Sequence, residues 1–242
     1  MHIAFLLLLV AWIIAINIVD AIFSKQPVKS NISEKSVNSG FFADIFVDIL
    51  FIWVPALVVL FLSFIGNISL QDLGYRLISF NHNIWFTVIT LVVGGFVFTY
   101  YIGRLILSLV SAKFREKQAI KNGDDEDLPR TAKQRKQHTL IVFSTATCEE
   151  LISRGFAVFL LQSVFPGISV FLVILITSAL FGLSHLYQGL SGVIRTGIFG
   201  ILSVSLFLVT DSLILPMVLH FLADFSYTFV LPKEQEVRGR EI

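Results

Sequence analysis

The sequence predicts an all-α protein, a polytopic transmembrane helix bundle of about seven to eight spans. Hydrophobic residues make up 55% of the 242 residues and charged residues only 14%, whereas ordinary soluble domains carry about 25% charged residues. A soluble chain of this length could not bury so many apolar side chains in one core. Apolar stretches of about 20 residues, the length that crosses the hydrocarbon of a bilayer, recur along the whole chain.

The predicted spans follow one another with few interruptions. Each is long enough to cross about 30 Å of hydrocarbon as a helix. They cover 3–23, 41–65, 86–112, 139–163, 168–188, 191–210 and 213–232. An eighth element, shorter or tilted, is expected within 66–85, where the stretch SLQDLGYRLISF has the pattern of an amphipathic interfacial helix. Residues 1–112 therefore form an N-terminal unit of about three spans.

A single long polar segment, 113–138, separates this unit from the rest of the chain. It is rich in Lys and Arg, and Gly123 and Pro129 should break any helix there. Basic loops stay on the cytoplasmic side, so we predict a charged cytoplasmic loop. Residues 139–232 then form a helical core, and 233–242 a polar tail.

The composition also restricts the partners and the location. A net charge of +1 gives no reason to expect nucleic acid, because such partners select basic surfaces. The lipid bilayer is the expected surrounding. We expect a multi-pass protein of a bacterial cytoplasmic membrane, from the short length and the lack of targeting motifs.

Ionisable residues inside three predicted spans are the strongest functional signal. A charged side chain at the centre of a membrane helix costs roughly 2.5–3.5 kcal/mol on insertion scales, so each is a functional candidate. These ionisable residues belong to three residue pairs, one in each span: Glu150 with Arg154, Phe181 with His185, and His220 with Asp224. Each has i,i+4 spacing, which puts both members on one helix face.

The first pair leaves a neighbouring glutamate without a partner. Glu150 and Arg154 can neutralise each other one turn apart. Glu149 points about 100° away from Glu150 around the helix. Its carboxylate is therefore available as a general base.

These residues together predict amide hydrolysis without a covalent intermediate. Glu149 and the imidazole of His185 could hold and deprotonate a water, and His220 could donate to the oxyanion. Asp224 would fix the tautomer of His220 or supply a further polar contact. The predicted span ends, however, put His185 and His220 at depths about 10 Å apart.

At these residues the sequence resembles the CPBP family of intramembrane peptidases, also called the Abi or type II CAAX prenyl endopeptidase family. The motifs stand as EELISR at 149–154, FGLSH at 181–185 and HFLAD at 220–224, and the resemblance covers about 139–230. It implies an endopeptidase acting on a membrane-associated protein or peptide. Prenylated CAAX proteins are the eukaryotic substrates that the resemblance implies.

The resemblance also implies a role for each residue. Glu149 and His185 would activate the water, with Glu150, Arg154 and Phe181 in support, while His220 and Asp224 would stabilise the oxyanion. Many members have Asn at the last position, whereas an ionised Asp224 cannot donate a hydrogen bond. It must therefore be protonated or orient His220 instead.

A divalent metal, zinc above all, is an open question at this stage. Glu149, His185 and His220 match the ligand types of catalytic zinc sites, and members of the family are often described as metalloproteases. No HExxH motif is present. We predict no obligatory metal.

Two other classes compete with this interpretation. A non-catalytic membrane protein, such as an immunity factor or a transporter-like channel, could use Glu149 and the histidines as a proton relay. A serine peptidase is the other class. We predict that its serine–histidine dyad does not form here, because the adjacent Ser184 and His185 should diverge on a helix.

Overall fold

The computed structural model describes residues 1–11, 37–80, 83–122, 129 and 131–230. In these ranges every regular element is a helix, which confirms the all-α class. The helices are α1 (His2–Ala11), α2 (Val37–Ile65), α3 (Ile84–Val110), α4 (Ala112–Asn122), α5 (Ala132–Glu150), a π-helix (Leu151–Phe156), α6 (Ala157–Val164), α7 (Val170–Leu183), a 3₁₀ turn (Leu186–Gln188), α8 (Gly189–Thr210) and α9 (Ile214–Phe225).

Two helical segments of the described chain are long and apolar enough to cross a membrane, Ile84–Val110 and Leu186–Thr210. Shorter apolar helices lie at four other predicted spans, 3–23, 41–65, 168–188 and 213–232. Only 17% of the apolar window of α3 is buried, against 50% for Leu186–Thr210, so α3 exposes most of its apolar side chains. Such a surface suits lipid rather than water. The number of spans stays a prediction.

The prediction of an amphipathic helix within 66–85 is wrong for residues 66–80, which form turns and irregular segments. Their backbone groups bond to the α8–α9 connection instead. The amide of Ser79 donates to the carbonyl of Thr210 at 2.9 Å, and that of Leu213 donates to the carbonyl of Gly74 at 3.0 Å. Gly74 has a φ of +83°, a conformation that favours glycine and interrupts a helix.

Helices enter the polar segment 113–138 from both sides. α4 extends to Asn122, and α5 begins at Ala132 after a capping box in which Thr131 and Gln134 bond reciprocally. Residues 113–122 and 132–138 of the predicted loop are therefore helical. The polar tail 233–242 and the residues 12–36 lie outside the described part of the chain.

The helix formed by α5, the π-helix and α6 runs through the middle of the packing. On one side Phe156 and Leu160 belong to an apolar cluster with Phe5 of α1 and Ala56 of α2. On the other side Val158 packs in a second cluster of residues from α6, α7, α8 and the α8–α9 connection. The motif at 149–154 consequently lies at the centre of the helices.

Small residues let α7 and α8 approach closely. A Cβ at Gly182 would lie 2.8 Å from the carbonyl oxygen of Val193, and one at Gly200 would lie 3.2 Å from the Cα of Ser178. Backbone contact of this kind is typical of membrane helix pairs. It fixes α7 at Gly182, three residues before His185.

We expect Gly182→Ala to lower the free energy of unfolding by about 1–3 kcal/mol, because the methyl group meets backbone that must move. Gly95→Ala is the matched control, since nothing lies within 4 Å of a Cβ there. That change should be neutral or stabilising by up to about 1 kcal/mol. Denaturation in mixed detergent micelles measures both; equal stabilities of the two variants would contradict the tight contact.

Candidate active site

Glu150 is the centre of a buried polar network. Its Oε2 lies 3.1 Å from Nε of Arg154 and accepts a hydrogen bond of 2.8 Å from Oγ of Ser203. Its Oε1 lies 2.8 Å from Nδ1 of His220. The side chain of Glu150 is fully buried, so these three partners replace the water that it loses.

Arg154 is held on a second side by an aromatic ring. Its guanidinium carbon lies 4.1 Å from the centroid of Phe181, a cation–π distance. The π-helix Leu151–Phe156 begins directly after Glu150 and contains Arg154. Such wider turns are frequently found at functional sites.

The contact with Glu150 determines the orientation of His220. A carboxylate that already receives Arg154 and Ser203 can only accept, so the Nδ1 of His220 carries a hydrogen and donates it. Nε2 then faces two other acids, Oδ2 of Asp224 at 3.4 Å and Oε2 of Glu149 at 4.0 Å.

His185 is oriented by the backbone of its own helix. Its Nδ1 lies 2.8 Å from the carbonyl oxygen of Phe181, which can only accept. Nε2 therefore has no hydrogen in the neutral ring, and it lies 3.9 Å from Oε2 of Glu149. The expected difference in depth between the two histidines does not keep them apart, since both rings reach the same carboxylate oxygen.

Glu149 Oε2 is buried and has no hydrogen-bond partner among the described residues. It and the Nε2 of His185 are both acceptors, so neither can satisfy the other. A water molecule that donates one hydrogen to each would lie within hydrogen-bond distance of both. The arrangement can thus bind and polarise a water.

The side chain of Asp224 is 43% exposed, and its Oδ2 lies 3.4 Å from Nε2 of His220. Its position beside Nε2 of His220 favours an orienting contact. Of the contacts of His220 with Glu150 and Asp224, the shorter is made by Nδ1 to Glu150, and the influence of Asp224 on the tautomer stays a prediction.

Ser184 and His185 do not diverge as predicted. Oγ of Ser184 lies 3.1 Å from Nδ1 of His185, because His185 follows the end of α7 and leaves the helical path. The hydroxyl nevertheless donates to the carbonyl of Phe181 at 2.8 Å. Since Nδ1 is also a donor to that carbonyl, the ring cannot take a proton from the serine there.

Glu149, His185 and His220 are residue types that ligate zinc in catalytic sites, and the absence of an obligatory metal stays a prediction. Glu149 lies 3.9 Å from His185 and 4.0 Å from His220. In the described ranges, no group of three or more His, Cys, Asp or Glu side chains has a metal-binding arrangement.

Two cavities meet at Glu149. An apolar cavity of about 250 Å³ has the apolar side chains of Leu9, Ile52 and Leu180 in its wall. A polar cavity of about 430 Å³ extends from the same glutamate past His220. The residues that line both cavities are Glu149, Phe181, His185 and Tyr187. A substrate bound at Glu149 could extend into an apolar and a polar space.

Two residues of the site were missed by the sequence reasoning, and both lie on α8. Ser203 donates to Glu150, and the ring of Phe199 stands edge-on to His220 with centroids 5.3 Å apart. Ser203 is a polar residue in an apolar stretch, which is a weak sequence signal for a site residue. Phe199 is one of many aromatic residues in the predicted spans, so the sequence does not single it out.

The fold and the site together define a class, an all-helical protein with a buried glutamate–histidine cluster between its helices. Residues 135–226 match the family model described as "Type II CAAX prenyl endopeptidase Rce1-like". This part of the chain is thus similar to that family, which bears out the family resemblance and supports a membrane-embedded, CAAX-type protease family. The match covers less than half of the chain. No curated protein and no solved structure in the comparisons matches the chain.

Proposed function

We propose that the protein is an intramembrane endopeptidase that hydrolyses a peptide bond with a water held by Glu149 and His185. The observation that carries the proposal is the convergence of two acceptors, Glu149 Oε2 and His185 Nε2, at 3.9 Å in a buried position. The match to the Rce1-like family model supports the protease class.

In the proposed reaction Glu149 is the general base. The water donates one hydrogen to Glu149 and the other to Nε2 of His185, and its oxygen attacks the carbonyl carbon of the substrate. Glu149 takes a proton from the attacking water and then gives it to the nitrogen of the leaving fragment. The water oxygen ends in a new carboxyl group and its proton on a new amine, so the step is balanced.

The oxyanion needs a hydrogen donor. His220 with both nitrogens protonated lies between two carboxylates, Glu150 at Nδ1 and Asp224 at Nε2. At 3.4 Å the contact with Asp224 is longer than a strong hydrogen bond. The Nε2–H group can therefore donate its hydrogen bond to an oxyanion that comes closer. Such a hydrogen bond stabilises the oxyanion and lowers the barrier to hydrolysis.

The two cavities favour a substrate with an apolar part and a polar part. The bilayer supplies such molecules, namely membrane proteins and membrane-anchored peptides. We propose a multi-pass protein of the bacterial cytoplasmic membrane that acts on one of these. The proposed mechanism relies on the side chains of Glu149, His185 and His220 and does not require a metal ion.

Cleavage of a library of lipid-anchored peptides by the purified chain in proteoliposomes tests the proposal. Products should appear with hydroxylamine present but contain no hydroxamate, because no acyl-enzyme forms to be trapped. Activity should persist after treatment with 1,10-phenanthroline. Hydroxamate products would indicate a nucleophilic side chain, and loss of activity restored by zinc would indicate a metalloprotease. Proton flux through the liposomes with no cleavage would favour a relay instead.

A further inference from the structure

Two arginines line the polar cavity without an acidic partner. Arg104 comes from α3 and Arg195 from α8. No ion pair joins either side chain to an acid among the described residues. The acids of the same cavity, Glu149 and Asp224, lie against the histidines instead.

Arg104 is the only charged residue in the 27 residues of α3. Its guanidinium carbon lies 3.7 Å from the centroid of the Tyr227 ring, and the edge of the group makes no hydrogen bond to the described residues. Its Nε is buried and has no hydrogen-bond partner in the described part of the chain. A charge in an apolar helix is costly, and a buried donor nearly always has an acceptor. A ligand in the cavity could supply that acceptor.

Arg195 lies on the exposed part of the same cavity wall. Its Nη2 donates to Oε1 of Gln188 at 2.8 Å, which holds the side chain at the cavity. The guanidinium has further donors that this single hydrogen bond does not use. Planar guanidinium groups match the two oxygens of a carboxylate.

We propose that Arg104 and Arg195 form a subsite for a carboxylate group of the substrate peptide. This inference rests on the proposed function, because Glu149 and His185 line the same cavity and place the scissile bond at its boundary. The carboxylate is either the C-terminus of the peptide or an acidic side chain. The part of the substrate in the polar cavity carries it.

Binding to a non-cleaving chain tests this subsite separately from catalysis. The full chain carrying Glu149→Gln is placed in nanodiscs of phosphatidylcholine. Fluorescent palmitoylated peptides of mixed sequence are added, ending in a free carboxylate, an amide, or an aspartyl amide. Anisotropy gives each Kd, so a failure of the parent chain to cleave any peptide would leave the subsite result intact.

We expect Arg104→Gln to weaken binding of the carboxylate peptide about tenfold or more, as for the loss of a charge-assisted hydrogen bond. Arg195→Gln should weaken it about threefold, because this arginine is exposed. Binding of the plain amide should change by less than about twofold. Arg76→Gln is the control. Arg76 does not line the cavity, and its Nη1 lies 3.4 Å from Oδ2 of Asp211. The aspartyl amide shows whether a side-chain carboxylate suffices.

Equal affinities of the parent chain for the carboxylate and amide peptides would overturn the proposal, as would a preference that survives in both variants. The same measurement in nanodiscs that also contain phosphatidylglycerol tests the lipid as the ligand. If the effect of the arginine variants on peptide affinity depends on phosphatidylglycerol and not on the peptide carboxylate, the two arginines bind lipid and the proposal is wrong. If Arg104→Gln does not fold, Arg104→Lys keeps the charge without the planar fork. A loss of about threefold is expected for it, and unchanged binding would count against the subsite.

Discussion

Glu149→Gln is expected to lower kcat by roughly 100- to 10,000-fold, the contribution of a general base. The amide keeps the shape of the carboxylate but cannot take a proton from water. KM should change little, because the cavities that bind the substrate keep their walls. Stability should also change little, since Oε2 of Glu149 makes no hydrogen bond to the described residues and the side chain is 31% exposed.

The measurement is the initial rate of peptide cleavage in proteoliposomes, with the amount of folded protein determined by size-exclusion chromatography. Asp72→Asn is a control acid, because among the described residues its carboxylate accepts only from Ser69 in the 66–80 turn. Cleavage that continues at the parent rate in Glu149→Gln would remove this residue from the mechanism.

Glu150→Gln is expected to act on stability, although Glu150 adjoins Glu149. It leaves the guanidinium of Arg154 buried without a counter-charge, and breaking such a pair costs about 3–5 kcal/mol. Both side chains are almost fully buried, so solvent cannot screen the remaining charge. Activity should fall as well, because the orientation of His220 depends on Glu150.

Removal of both charges should recover much of that loss. In Glu150→Gln with Arg154→Met, no uncompensated charge is left in the interior, and apolar replacements of buried pairs are often neutral or stabilising. A double-mutant cycle on the free energy of unfolding in mixed micelles measures the coupling. Additive effects of the two single changes would show that the pair is not coupled.

The fold class and the helix positions could be predicted because lipid imposes one simple condition on sequence. Every apolar segment must satisfy its backbone internally, so long apolar stretches become helices. The same reasoning wrongly predicted a helix over residues 66–80, which form turns. The backbone of this region bonds to Thr210 and Leu213 across the tertiary structure, and no local pattern carries that information.

The candidate site was only partly accessible from the sequence. Glu149, His185 and His220 stood out because ionisable residues in spans are costly. Their separation was overestimated, because depth was inferred from predicted span ends. The Glu150 contact to His220, and the contact of Arg104 with the Tyr227 ring, depend on how three or four helices pack.

The amino-acid sequence by itself determined an all-helical protein with acids and histidines in three apolar segments. It could do so because hydrophobicity and i,i+4 spacing are properties of neighbouring residues. Only the tertiary structure decided that two rings and one carboxylate oxygen meet within about 4 Å. Distances between helices follow from side-chain packing over the whole bundle, including the glycines between α7 and α8.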